Sequence, residues 1–435
     1  MPAIDFKKIG EGGGVFTKPI LHENTLYFGA FDKYFYAVDS KTGLEKWSLI
    51  TNGIIMSSPA LTNGTLYFGC FDNNLYVVSI PEKRILWKFM TGGIIVSSPL
   101  IKNDVIYFGS CDTYFYAVST KTHDIKWKFK TENEIITDAI IEENRIYFGS
   151  TDNYFYCLDL EGSLVWKFRA NGEFLVRAPV ISEDAIYAAA SDGCLYALDK
   201  NTGALIWKFR SNEESFNCIS IESNKIYFGS KDRHLYCLNK KTGAVLWKFR
   251  ADQGIGTPPT ITNDRIYAGA DKIYALDKQG TLVWTYDAHS TQIPFFVYSP
   301  ILHNNLLYFT AFDGNLRCID TNGSLVWSFR VKATQKVNVE VGAINAASWW
   351  DEIMFSLFEA EHETAPDAEP YVLKKYGADI IADIENNVEK YVGVGALGVY
   401  KELQEKAYVS NQDYYIGKND KNKQDEKKLK KLFDI

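Results

Sequence analysis

Tryptophan returns along this chain at a nearly fixed interval, and that interval limits what the chain can fold into. Trp47, Trp87, Trp127, Trp166, Trp207, Trp247, Trp284 and Trp327 are separated by 40, 40, 39, 41, 40, 37 and 43 residues. A period of this size in β-forming sequence marks a propeller or a related array, because one such unit cannot bury both its faces alone and must stack on copies of itself. Each unit keeps the same internal order. A stretch ending in Pro-small-apolar (SSPAL, SSPLI, RAPVI, YSPIL) leads into a short polar turn (TNGT, KND, SED, TND). An aromatic segment such as LYFGCF or IYFGSC follows, then an Asp-led turn, a third segment (NLYVVS, YFYAVS, CLYALD) and a last one ending in Trp-Lys-Phe.

The segments are too short for helices and rich in Tyr, Phe, Ile, Val and Trp, with alternation visible in LYALD and IYFGS, so they read as strands. Asp and Asn before Gly supply turns that tolerate positive φ. Gly in the YFG strand leaves room for a neighbour from the next sheet. The expected fold is all-β: an eight-bladed propeller of four-stranded antiparallel blades, closed so that its edges are protected. A small C-terminal α-helical extension follows. The repeats run from Phe16 to about Arg330. Ile4 to Lys8 falls where an outer strand would lie and is expected to pair with the last sheet. The organisation predicted is a propeller over 1–335, a helical extension over 336–410 and a Lys-rich disordered tail over 411–435.

The turn between the third and fourth strands has a specific form. AVDSKTGLEKW (37–47) and ALDKNTGALIW (197–207) fit Ala-x-Asp-x-x-Thr-Gly-x-x-x-Trp, and CLNKKTGAVLW and AVSTKTHDIKW come close. ALDKQGTLVW, CLDLEGSLVW and CIDTNGSLVW are one residue shorter, and VVSIPEKRILW diverges most. This resembles the tryptophan-docking repeat of the pyrroloquinoline-quinone-type (PQQ-like) propellers, over about three-quarters of the chain. The resemblance implies that each Trp lies between adjacent blades near the Gly-bearing turn of its neighbour. It implies that Asp39, Asp159, Asp199, Asp277 and Asp320 cap their turns. The family holds quinone-dependent dehydrogenases and also quinone-free scaffolds, such as the propeller lipoprotein that helps assemble outer-membrane proteins. Fold cannot choose between them. A quinone site needs an aromatic floor, cations and a metal held by Glu, Asn and Asp. The dehydrogenase members resemble one another in a lid of adjacent cysteines, absent here, and in long inserted loops that this shorter chain lacks. No cofactor is expected.

Residues that invite a site also have plainer readings. Asp32, Asp72, Asp112, Asp152, Asp192, Asp232, Asp271 and Asp313 recur after every second strand. A metal ring is one reading; Asp opening a tight hairpin and bonding its own backbone is the preferred one. Two residues before the aligned Pro stand Thr17, Ser57, Ser97, Thr137, Arg177, Asn217, Thr257 and Tyr298. One residue later come Lys18, Ser58, Ser98, Asp138, Ala178, Cys218, Pro258 and Ser299. Both sets are expected to line a polar axial channel. Arg177 could take a small anion there or pair with Asp138, with Lys18 the other charge. The repeated pairs Ile54–Ile55, Ile94–Ile95 and Ile135–Ile136, with Phe174, read equally as a partner surface or as half-buried starts of inner strands. No Ser-His-Asp, HExxH or phosphate-cradling Gly loop occurs, and Glu11 to Gly14 reads as a flexible connection. The six His lack ligand spacing. No catalytic, cofactor or metal residue is assigned.

Beyond Arg330, residues 343–361 carry a helical stripe through Ile344, Ala347, Trp350, Met354 and Leu357, and two more helical patterns follow. Trp349, Trp350 and Phe358 are candidate partner contacts. With 46% apolar and 15% aromatic residues the chain can bury a large core, and its net charge of −7 argues against nucleic acid as partner. No run of eighteen apolar residues occurs, and MPAIDFKKIG has no apolar core of a signal peptide. Of seven Cys, three (Cys157, Cys237, Cys318) replace Ala or Val at one repeat position. They read as small buried hydrophobes in a reducing, cytoplasmic setting. The expected function is a non-catalytic protein-protein interaction scaffold. The alternatives are a sensor or small-ligand propeller using the channel near Arg177 and, after it, a quinone-dependent dehydrogenase.

Overall fold

The computed structural model describes residues 14–15, 17–175, 178–213, 218–287, 298, 300–311 and 313–332. They form eight four-stranded sheets, each an antiparallel meander in sequence order. The chain is an eight-bladed β-propeller. Blade one runs through Ile20–His22, Thr25–Gly29, Tyr34–Asp39 and Glu45–Ile50. Blade eight runs through Ile301–His303, Leu306–Thr310, Asn315–Asp320 and Leu325–Arg330. The expected strand at Ile4–Lys8 and the C-terminal helices lie outside the described residues.

Side chains along a strand alternate between its two faces, and the blades use both. In blade one, Tyr27, Phe35 and Ala37 join Leu66, Phe68, Tyr76 and Val78 of blade two. Leu26, Phe28, Tyr36 and Val38 point the other way, toward Tyr308, Leu316 and Cys318 of blade eight. One such apolar cluster sits at every junction around the ring. Second and third strands are therefore buried on both faces, which is why LYFG and YFYAV read as near-continuous apolar runs. Phe35 stacks on Phe68 at 4.3 Å and Phe115 on Phe148 at 4.4 Å across two of these junctions. Cys157, Cys237 and Cys318 are fully buried members of the clusters.

The Ile pairs belong to this core. Ile54, Ile55, Ile94, Ile95, Ile135 and Ile136 are all buried, as is Phe174. Ile55, Ile95 and Ile135 each reach the Gly that ends the preceding blade's second strand, Gly29, Gly69 and Gly109. A Cβ on Gly29 would sit 2.1 Å from Ile55 Cγ2, and one on Gly149 would sit 2.2 Å from Phe174 Cβ. The partner-surface reading of these residues is thereby corrected: they fill the space that the glycines leave.

Ring closure repeats the bonds used between ordinary neighbours. Ile55 N donates to Ala30 O and Phe71 N to Ile54 O at the first junction; at the seam Val15 N donates to Ala311 O and Phe31 N to Gly14 O. Thr310 Oγ1 adds a bond to Thr17 O at 2.8 Å. Residues 14–15 thus do at the seam what each inter-blade loop does elsewhere, and blade eight has four strands of its own.

Candidate functional site

Around the axis the two expected lining sets separate. Thr17, Ser57, Ser97, Thr137 and Thr257 are buried, at 1% exposure or less. Thr17 Oγ1 donates to Gly29 O, Ser97 Oγ to Gly109 O and Thr137 Oγ1 to Gly149 O, all to the neighbouring second strand. Ser57 Oγ instead crosses to Ser97 O of the next blade. The hydroxyls described at this position tie backbone together and do not line a wet channel, which corrects the expectation for them; Asn217 lies outside the described residues. In blades one to four the next residue keeps some surface: Lys18 is exposed, and Ser58, Ser98 and Asp138 are half-buried. They run as a staircase around the axis. Lys18 N donates to Ser58 Oγ at 3.0 Å, Ser58 N to Ser98 Oγ at 3.1 Å, and Ser98 N to Asp138 Oδ1 at 2.6 Å. Ala178, Cys218 and Pro258 interrupt the series in later blades. Lys18 and Asp138 so stand at its two ends; Arg177 lies outside the described residues.

The eight carboxylates are engaged within their own blades. Asp112 Oδ1 accepts Tyr114 N at 3.1 Å, Oδ2 accepts Tyr116 OH at 2.6 Å, and Gly92 N of the preceding loop donates to Oδ2 at 2.8 Å. Asp152 and Asp232 repeat all three bonds, with Tyr156 and Tyr236 as the phenols. Asp32, Asp72 and Asp192 bind Tyr36, Tyr76 and Tyr196. In blade seven the hairpin is one residue shorter, and Tyr274 OH reaches Asp271 Oδ1 at 2.9 Å. In blade eight Arg317 takes the phenol's place against Asp313. Burial pushes the Asp32 carboxyl up to about 6, against the opposing bonds from Tyr36 and Tyr34, and it raises Tyr36, with Asp32 adding to the rise. The Tyr partner escaped the sequence reading, although Asp-x-x-x-Tyr stands in six repeats (DKYFY, DNNLY, DTYFY, DNYFY, DGCLY, DRHLY). Among the described residues no group of three or more His, Cys, Asp or Glu could hold a metal ion.

Each indole meets the neighbouring blade's turn. A Cβ on Gly203 would lie 2.6 Å from Trp166, one on Gly243 2.7 Å from Trp207, and one on Gly43 2.7 Å from Trp327. Trp127, Trp284 and Trp247 lie against Gly162, Gly323 and Gly280 in the same way. Nε1 of Trp127, Trp166, Trp207, Trp284 and Trp327 donates to a carbonyl of that turn, Leu160 O, Lys200 O, Lys240 O, Thr321 O and Ser40 O respectively. Trp87 stacks at 4.1 Å on His123, which stands where other repeats have Gly, and Trp47 packs on the apolar cluster of the first junction, as do Ile80 and Ile85. Asp39 and Asp199 accept bonds from the backbone of their own turns.

A set of ion pairs clasps three junctions and was not read from the sequence. Lys200 reaches Glu142 at 2.9 Å, Lys240 reaches Glu183 at 2.9 Å and Lys278 reaches Glu222 at 2.7 Å, each in the preceding blade. Beside Lys240 lies a crevice of about 660 Å³ floored by Ile181 and Ile221. The signal was a Lys just after the third strand (DK, NK, DK) paired with a Glu in the first hairpin of the previous repeat. Trp349, Trp350 and Phe358 lie outside the described residues. Among the described residues no helix is long and apolar enough to cross a membrane.

A family model described as Outer membrane protein assembly factor BamB matches residues 32–141, 133–224 and 217–356. Among solved structures the chain is similar to the computationally designed Ika8 protein, at 17% identity and TM-score 0.63, over 72% of this chain and 97% of that one. It is also similar to BamB from Moraxella catarrhalis, at 17% identity and TM-score 0.60, over 70% of this chain and 96% of that one. Identity this low establishes a shared fold. No curated protein matches the chain.

Proposed function

Because the chain belongs to the BamB family of PQQ-like repeat propellers, we propose that it is a non-catalytic protein-protein interaction scaffold. One observation carries the reading. The polar and aromatic groups that recur in the repeats, the carboxylates with their Tyr or Arg partners and the indoles, are engaged with their own hairpin or with the next blade. Chemistry spent in this way makes a rigid ring, and a rigid ring holds partners at fixed positions with little ordering cost. The family's description as an outer membrane protein assembly factor supports the same reading.

The test is affinity capture of the tagged full chain from native extract at moderate salt. A stoichiometric protein partner is expected; recovery of the chain alone rejects the scaffold reading. The seven cysteines are unpaired and six are buried, which suits a reducing compartment. Alkylation after denaturation without reductant should therefore label all seven; fewer would speak for an oxidising one.

A further inference from the structure

Four consecutive outer strands, in blades three to six, end in Trp-Lys-Phe-Lys or Trp-Lys-Phe-Arg. Trp and Phe are at most half-exposed and pack toward the next blade, while the two cations alternate with them and are exposed. None of the four strands contains an acidic residue. Elsewhere in the ring many cations are matched, as Lys46 is with Asp39 and Lys272 with Asp252. None of these eight forms an ion pair among the described residues. Lys128 and Lys167 lie instead over the rings of Tyr114 and Tyr154, both at 4.0 Å.

A lysine on an edge strand prevents edge-to-edge pairing. That role does not account for this pattern. Blades one, seven and eight place Ser48, Thr285 and Ser328 at the first cation's position. Edge protection also calls for no second cation and does not gather the pairs into adjacent blades. On a chain whose net charge is −7, an unneutralised cationic arc is a local feature with a complementary partner.

The shape of the arc selects among anions. Eight blades are spaced at about 45°, so four of them span about 135° of the rim. A flat anionic surface meets one or two blades; a flexible polyanion follows all four. Single-stranded nucleic acid needs open aromatic faces for its bases, and lysines cover Tyr114 and Tyr154. We propose that the outer rim of blades three to six binds an extended acidic polypeptide segment of a partner protein. This rests on the scaffold reading and names the partner's chemistry.

The test uses fluorescently labelled poly-L-glutamate and the full-length chain, read by fluorescence anisotropy across a salt series. Binding should weaken as salt rises. Reversal of four rim charges (K167E/R169E/K208E/R210E) should weaken it by at least about tenfold. The same charge change placed on other blades (K41E/K83E/R84E/R330E) should alter it by less than about threefold. Equal losses in the two variants overturn the proposal, as does no binding at low salt. Tighter binding of a single-stranded oligonucleotide of equal charge also overturns it and points to nucleic acid. If poly-L-glutamate fails while affinity capture returns a stoichiometric partner, the rim assignment falls and the scaffold stands. If poly-L-glutamate binds and capture returns nothing, the scaffold reading falls.

Discussion

At residue scale, the same turn position is filled by residues of different fitness. Thr113 opens its hairpin at φ 74, where blades five and eight have Gly193 at φ 78 and Gly314 at φ 79. A β-branched residue resists the left-handed region, and glycine does not. Thr113→Gly should raise stability by about 1 kcal/mol, measured by urea unfolding; a loss would mean the threonine does something beyond the turn. Gly203 is the reverse case, at φ 72 with the Trp166 ring against its Cα. Gly203→Ala should cost at least about 1–2 kcal/mol from the backbone conformation and the displaced ring together.

Asp32 supplies a pH signature with an uncommon sign. Its carboxyl sits at about 6 in the fold against an ordinary 3.8, because burial outweighs the bonds from Tyr36 and Tyr34. The folded state therefore favours the protonated form. The stability this contributes is fully present below the ordinary value and is lost as pH rises through about 6. Asp39 runs the other way: burial opposes it, but the N–H groups of Thr42 and Lys41 and the Lys46 ammonium hold it near 2, so its contribution is lost only in strong acid. Unfolding free energies of wild type and Asp32→Asn should diverge between pH 4 and pH 6 by about 2–3 kcal/mol, with wild type losing ground as pH rises. Parallel curves would show that Asp32 titrates normally.

At the scale of the element, the outer strand does two jobs. Its β-bulge, present in all eight blades opposite the same third-strand step, blunts an otherwise open edge. Its Trp anchors the blade to the next turn. Trp207→Phe removes the Nε1 bond to Lys240 O and part of the packing, and should cost about 1–3 kcal/mol. Glu183→Gln breaks the clasp with Lys240, but Glu183 is 69% exposed, so denaturation should register a change below about 1 kcal/mol.

At the scale of the whole molecule, seven junctions are crossed by the chain and one is not. Among the described residues the seam between blades eight and one is held by docking contacts, including Trp327 Nε1 on Ser40 O, Lys332 N on Tyr36 OH, Thr310 Oγ1 on Thr17 O, the Lys332–Glu45 ion pair and the bonds of residues 14 and 15. Trp327→Ala should therefore accelerate native-state hydrogen exchange in blades one and eight more than Trp207→Ala does in blades five and six. Uniform acceleration in both variants would mean that the ring opens as one unit.

Read alone, the repeats specify the blade count and the strand order, because a fixed period and an alternating apolar pattern are local properties that each repeat states again; the Trp-to-turn relation came from the resemblance to the PQQ-like repeat. The repeats placed the eight Asp in hairpins for the same reason of local pattern. Other features were legible only in part. Asp112 reads as a turn residue, but its phenol lies on the third strand and its third bond comes from the loop that joins blade two to blade three. Ile55 alternates ambiguously until Gly29 of the adjoining sheet is seen to receive it. Thr17 and Lys18 are neighbours in sequence, yet Thr17 is buried with its hydroxyl on Gly29 O and Lys18 is exposed. These features emerge in three dimensions, as do the clasps from Lys200, Lys240 and Lys278 and the rim cations that have no ion-pair partner among the described residues. Each depends on which residues of different repeats come within a few ångströms of one another, and a period in one dimension carries no such distances.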